Sequence, residues 1–131
     1  MRDFRKALTN RVLILDGAMG TLLQERGLPP GGCPEEMNRI APEAVVGVHA
    51  EYAAAGADIL VANSFGGNRA KLAHYGLEGA VAELNSRAVE LARQAGGEQI
   101  FVGGSVGPTG RFVEPVGEFV RSFFIICKMD A

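Results

Sequence analysis

The chain has 131 residues, 47% of them hydrophobic and 21% charged, with a net charge of −2. That apolar content suffices for one sizeable core. The weakly acidic balance argues against a nucleic-acid partner, which would normally face a basic patch, and no apolar run approaches the roughly 18 residues of a membrane span.

Residues 3–9 are predicted to form a short leading helix with Phe4, Ala7 and Leu8 on one side. Residues 12–15 follow as an apolar run with β-branched Val12 and Ile14, the pattern of a buried strand, and it ends on Asp16-Gly17. The glycine is free to take backbone angles that other residues avoid. A helical segment at 21–26 is stopped by Gly27 and the Pro29-Pro30-Gly31-Gly32 cluster. Pro34-Glu35-Glu36 can open one more turn, with the acidic pair at its positive end. Pro42 then starts a helix whose apolar stripe is Val45, Val48, Tyr52 and Ala55, and Gly56 is its expected stop.

Residues 58–63 read as a second buried strand, ending in Asn63-Ser64-Phe65-Gly66-Gly67, with a short helix at 68–74 behind it. The best helix is 78–95, where Val81, Leu84, Ala88, Leu91 and Ala95 recur at helical spacing before Gly96-Gly97. A third strand at 99–102 runs into a loop of glycines and small polar residues from Gly103 to Gly110. Strands alternating with helices imply βαβ crossovers and a parallel sheet, so the fold class is α/β. In such folds ligands bind at the carboxyl ends of the strands. Those ends here carry Asp16 and Gly17, then Asn63, Ser64 and Phe65, then Gly104 and Ser105.

Each of these has a plainer reading as well as a functional one. Asp16-Gly17 is either a strand-ending turn or an amine-binding carboxylate beside a free N–H, and Asn63 and Ser64 either cap the next helix or meet a ligand. The loop after the third strand lacks the lysine of a P-loop, and Ser105 breaks the dinucleotide glycine spacing, so it is not read as a phosphate cradle. Cys33, His49, His74 and Cys127 are scattered too widely for a metal site and are read as structural. No nucleophile, base and acid can be singled out, so no residue is assigned a catalytic role. The absence of lysine at the three strand ends speaks against Schiff-base chemistry of the aldolase kind. Nothing at the N-terminus resembles the apolar middle of a secretion signal, so a cytoplasmic location and free thiols at Cys33 and Cys127 are expected.

Five ordered segments carry a family resemblance: ILDGAMGT (14–21), PEEMN (34–38), AGADILVANSFGGNRAKL (55–72), YGLEGAVAELNSRAVELAR (75–93) and VGGSVGPTGRFVEPVG (102–117). Together they resemble the homocysteine S-methyltransferases, a family that includes the homocysteine-binding part of methionine synthase and the betaine–homocysteine methyltransferases. The resemblance implies the N-terminal part of a (β/α)8 TIM barrel, about three βα units, at residues 1–117. It also implies methyl transfer to the thiol of homocysteine, giving methionine, from a donor such as a betaine-like ammonium, S-methylmethionine, S-adenosylmethionine or a methylfolate. By position Asp16 and Gly17 would hold the amino acid end of homocysteine, with the Asp16 carboxylate facing the ammonium. Asn63, Ser64, Phe65, Gly104 and Ser105 would shape the walls.

The family holds the thiol on zinc, but its cysteine ligands come from later strands, and neither Cys33 nor Cys127 sits in a matching motif. Such a barrel usually needs about 250 residues, and residues 118–131 read as a divergent apolar tail. The expectation is therefore a truncated barrel, inactive alone, that associates through its open sheet edges. The alternative is a non-catalytic fragment that binds homocysteine weakly or docks with a complementary half-barrel.

Overall fold

The computed structural model describes residues 3–112 and 115–117, and both Cys127 and the expected apolar tail lie outside the described residues. The leading helix α1 spans Phe4–Asn10 and is capped by Asp3, whose carboxylate accepts the N–H of Lys6. The Phe4 ring meets Phe101 edge-on at 5.2 Å between centroids. Helix α2 is Gly20–Glu25. A 3-10 turn at Pro34–Glu36 leads directly into α3, Met37–Ile40. Helix α4 is Pro42–Ala54, with proline in its first turn and Gly56 at φ +97° just beyond its end.

Strand β1 is Ile59–Val61, followed by α5 at Arg69–Leu72, capped by Asn68, and a 3-10 turn at Ala73–Tyr75. Helix α6, Val81–Gly96, returns the chain to β2 at Phe101–Gly103. The two strands pair in parallel, Leu60 opposite Val102, which gives one βαβ unit with α6 as its crossover.

The expected first strand is corrected by the structure. Residues 12–15 lie beside β1 but contribute a single parallel bridge, Leu15 to Ile59. Two aspartates replace main-chain partners on either side of that bridge. Asp58 Oδ2 accepts the N–H of Ile14, and Asp16 Oδ2 accepts the N–H of Val61. The ladder is thus cut short by side chains at both ends, and the sheet has two strands among the described residues rather than three. The other two expected strands are shortened to three residues each.

The stripe expected on 78–95 faces inward as Val81, Leu84, Ala88 and Leu91, although the helix begins three residues later than expected and its last member, Ala95, is only partly buried. Val45 and Val48 of α4 pack with Leu91 of α6 and with Leu23, Leu28 and Met37 in the largest core cluster. Leu60 turns toward the same helices with Ala57 and Ala92. Each such leucine removed from water contributes about 1.5–3 kcal/mol. The strand period sends Ile59 and Val61 the other way, where both are half-buried, and Val12, Ile14 and Leu15 beside β1 stay exposed. No helix among the described residues is long and apolar enough to cross a membrane.

Candidate functional site

The carboxyl ends of the strands surround a cavity of about 350 Å³, with the loop after residues 12–15, the Pro34 turn and the loop after β1 as its walls. Of the residues expected at a site, Gly17, Asn63, Ser64, Phe65 and Ser105 line it. A smaller cavity of about 170 Å³ adjoins it and is shared by Ser64, Phe65, Gly104 and Ser105. Asp16 lines neither.

Asp16 is instead turned into the protein. Its side chain is 3% exposed. One oxygen accepts the N–H of Val61 at 2.9 Å, whereas Oδ1 is buried with no hydrogen-bond partner. Burial raises the pKa of this carboxyl above the ordinary aspartate value, and the Val61 N–H opposes that shift only in part. His49 of α4 lies beside it, fully buried, with Nδ1 4.0 Å from Asp16 Oδ2 and neither ring nitrogen hydrogen-bonded. Loss of water pushes its pKa down to about 4, so the imidazole is neutral at pH 7.

Gly17 serves the site by its size. Its φ is not positive, so the expected backbone freedom is not used. A Cβ there would come within 2.8 Å of the Tyr52 hydroxyl, which donates to the Ala18 carbonyl at 2.9 Å and pins the loop to α4.

Asn63 and Ser64 are tied into the framework. Asn63 Nδ2 donates to the Pro34 carbonyl at 2.6 Å and to Asn38 Oδ1 at 3.0 Å. Asn38, fully buried, donates in turn to the carbonyls of Asn63 and Leu84. Ser64 Oγ donates to the Ser105 carbonyl at 2.9 Å and accepts the Ser105 N–H at 3.0 Å, so the loops after β1 and β2 clasp each other. Phe65 keeps an exposed ring, and its carbonyl accepts the Gly107 N–H at 3.0 Å. Neither residue caps the next helix, which Asn68 does, and both instead tie distant loops together from positions on the cavity wall.

Sequence reasoning missed Glu35. It was grouped with Glu36 as an acidic pair at a helix start, yet the two part company. Glu36 pairs with Arg39 on the surface at 3.2 Å. Glu35 is 5% exposed, lines the larger cavity, and accepts the Gly66 N–H at 2.6 Å and the Cys33 thiol at 3.5 Å. The match at PEEMN was the available signal. Burial pushes the Cys33 thiol up to about 11, so it is a structural thiol and not a reactive one.

The zinc implied by the resemblance finds no fit here. Among the described residues no group of three or more His, Cys, Asp or Glu side chains is placed to hold a metal ion.

A parallel strand pair covered on one side by helices, with a cavity at its carboxyl ends, is the arrangement on which α/β proteins build small-molecule sites. The chain belongs to the homocysteine S-methyltransferase family, whose sequence profile matches residues 13–124. It is 35% identical to the methionine synthase of Mycobacterium leprae over 120 aligned residues, and 34% identical to that of Mycobacterium tuberculosis. Both alignments cover 81% of this chain and 10% of the relative, so the chain spans about a tenth of their length. The metallated form of the homocysteine methyltransferase MmuM from Escherichia coli superposes with a TM-score of 0.69 at 33% identity. That match covers 81% of this chain and 41% of MmuM, and the oxidized form of MmuM matches over the same shares at 34% identity.

Proposed function

We propose that residues 1–117 are the homocysteine-binding N-terminal portion of a (β/α)8 methyltransferase barrel, acting in the cytoplasm. The observation that supports this most directly is the 350 Å³ cavity, which gathers Gly17, Asn63, Ser64, Phe65 and Ser105 at the strand ends of a chain that belongs to this family. Homocysteine would lie there with its amino acid end toward the loop after residues 12–15. Asp16 would act from behind that loop, where its unpartnered Oδ1 retains acceptor capacity for an ammonium group. Gly104 would complete the wall from the adjoining cavity.

In the complete reaction the thiolate sulfur attacks the methyl carbon of a sulfonium, quaternary ammonium or folate donor. The carbon–heteroatom bond of the donor breaks, and its electron pair leaves with the donor. In the family that thiolate would be supplied by zinc held on residues other than those described. The described residues supply binding and orientation and not that activation.

The test is calorimetry of the 131-residue chain with homocysteine, paired with an assay for methionine in the presence of zinc and each donor class. Saturable homocysteine binding without methionine above background is the expected result. Methionine formation would overturn the assignment of activation to residues elsewhere, and absence of binding would overturn the site.

A second reading, docking with a complementary half-barrel, is favoured by the exposed apolar side chains of Val12, Ile14 and Leu15 beside β1. Gel filtration separates the two, since a chain that stays monomeric alone and with residues of a relative's remaining strands does not dock.

A further inference from the structure

The loop after β1 closes on itself before α5. The Gly67 N–H donates to the Ser64 carbonyl at 3.0 Å, so residues 64–67 form a tight turn that carries Ser64 and Phe65 to the wall of the larger cavity. The same turn shares the 170 Å³ cavity with Asn85 and Val89 of α6. Open space therefore separates part of the turn from α6, and packing alone does not fix it there.

One side chain crosses that gap. Asn85 Nδ2 donates to the Gly67 carbonyl at 2.7 Å and to the Val81 carbonyl, one helical turn back, at 2.8 Å. Both amide hydrogens are thereby spent, which sets the orientation of the amide. Its Oδ1 then abuts Gly67, where a Cβ would collide with it. Among the described residues no other hydrogen bond links α6 to this turn. The remaining ties of the turn run to Glu35 and to the loop after β2, through Ser105 and Gly107.

We propose that Asn85 is a positioning residue of the site, acting through Gly67 to hold the turn at 64–67, and with it Ser64 and Phe65, at the cavity wall. The inference rests on the homocysteine reading above and adds to it a residue that touches no ligand. Without the Asn85 amide the turn divides between its present place and places nearer α6, and only the first is competent to bind. A hydrogen bond of this kind shifts such a division by up to about tenfold, and the apparent affinity falls with the competent fraction.

The experiment is calorimetry with homocysteine on the 131-residue chain, on Asn85→Ala, on Gly67→Ala and on the double variant, with urea unfolding of each alongside. Asn85→Ala should weaken homocysteine by about fivefold to tenfold. Gly67→Ala should do the same, because its Cβ evicts the amide. The double variant should then bind no more weakly than the weaker of the two singles, since both break one strut. A residue that only supported the core would lower the urea midpoint and leave the affinity of the folded chain alone. Unchanged affinity in Asn85→Ala, or losses that multiply in the double variant, overturns the proposal and leaves the homocysteine reading intact. Absence of binding by the parent overturns both. Should Asn85→Ala fail to fold by circular dichroism, NMR of the parent decides, because a strut that favours the ligand must be favoured by it in return. Asn85 side-chain amide protons whose exchange slows on adding homocysteine support the proposal, and protons unaffected by it refute it.

Discussion

Asn38 with Asn63 and Asp16 with His49 are two buried polar pairs built around the ends of the same strands, and the fold treats them differently. The asparagine pair is knit on every side: Asn38 bonds the carbonyls of Asn63 and Leu84, and Asn63 Nδ2 bonds Asn38 and the Pro34 carbonyl. It ties α3, α6 and the loop after β1 into one unit. The aspartate–histidine pair spends a single oxygen on Val61 and leaves Asp16 Oδ1 and both His49 nitrogens without partners. A hydrogen-bonded polar group under a core rigidifies it, whereas an unmatched one costs stability and holds capacity in reserve. The first pair is framework. The second stands beside the proposed site and is where the fold accepts a penalty.

The largest expected break comes at Asn38. Asn38→Leu removes three hydrogen bonds at once and leaves the Asn63 amide and the Asn63 and Leu84 carbonyls short of a buried partner. We expect a loss of about 3 kcal/mol, read as a lowered urea midpoint with the slope unchanged. A loss under about 1 kcal/mol would mean that the network is not a unit.

Acid acts on the other pair. The imidazole of His49 is held down to about 4 in the folded chain, against 6.5 when free. Between those values the unfolded chain takes up a proton that the folded chain refuses, so stability falls as pH drops from about 6.5 to about 4 and then levels off for this group. The linkage amounts to about 3 kcal/mol. Asp16 works against this fall. Its folded pKa is raised, so its contribution is present in full below 3.8 and is lost as pH rises through the folded value. Urea unfolding of the parent and of His49→Leu at pH 7, 6, 5 and 4 separates the His49 part from the opposing Asp16 part, and identical profiles across that window would contradict the burial of a neutral His49.

Much of this contrast was beyond the reach of the sequence, for physical reasons. The stripe of α6 and the glycine stops were legible because they are local, set by periodicity and by backbone conformation. The strands were placed correctly in order but drawn too long, because Asp16 and Asp58 were read as strand ends and not as substitutes for main-chain partners. Gly17 was noted for backbone freedom when what it provides is room for Tyr52. Glu35 stood in the PEEMN match and His49 among the residues read as structural, but the burial of neither was legible. Whether a charged or polar side chain is buried depends on what packs over it from distant segments, here Gly66 for one and Asp16 for the other. Asn63, Ser64 and Ser105 were found because strand ends are functional places in this architecture, although most of their hydrogen bonds serve the frame.

The smallest expected effect is also the most discriminating. Asn38 and His49 are both fully buried, and burial alone would predict that either substitution is damaging. His49→Leu replaces an imidazole that makes no hydrogen bond with an apolar side chain of similar size, so at pH 7 stability should stay within about 1 kcal/mol of the parent. The same variant should flatten the acid-dependent loss between pH 6.5 and 4, because the group that titrates there is gone. Urea unfolding of parent and variant at pH 7 and pH 4 reads both effects together. A loss at pH 7 as large as that of Asn38→Leu would show that the imidazole has a partner in solution, and the two pairs would then differ in degree and not in kind.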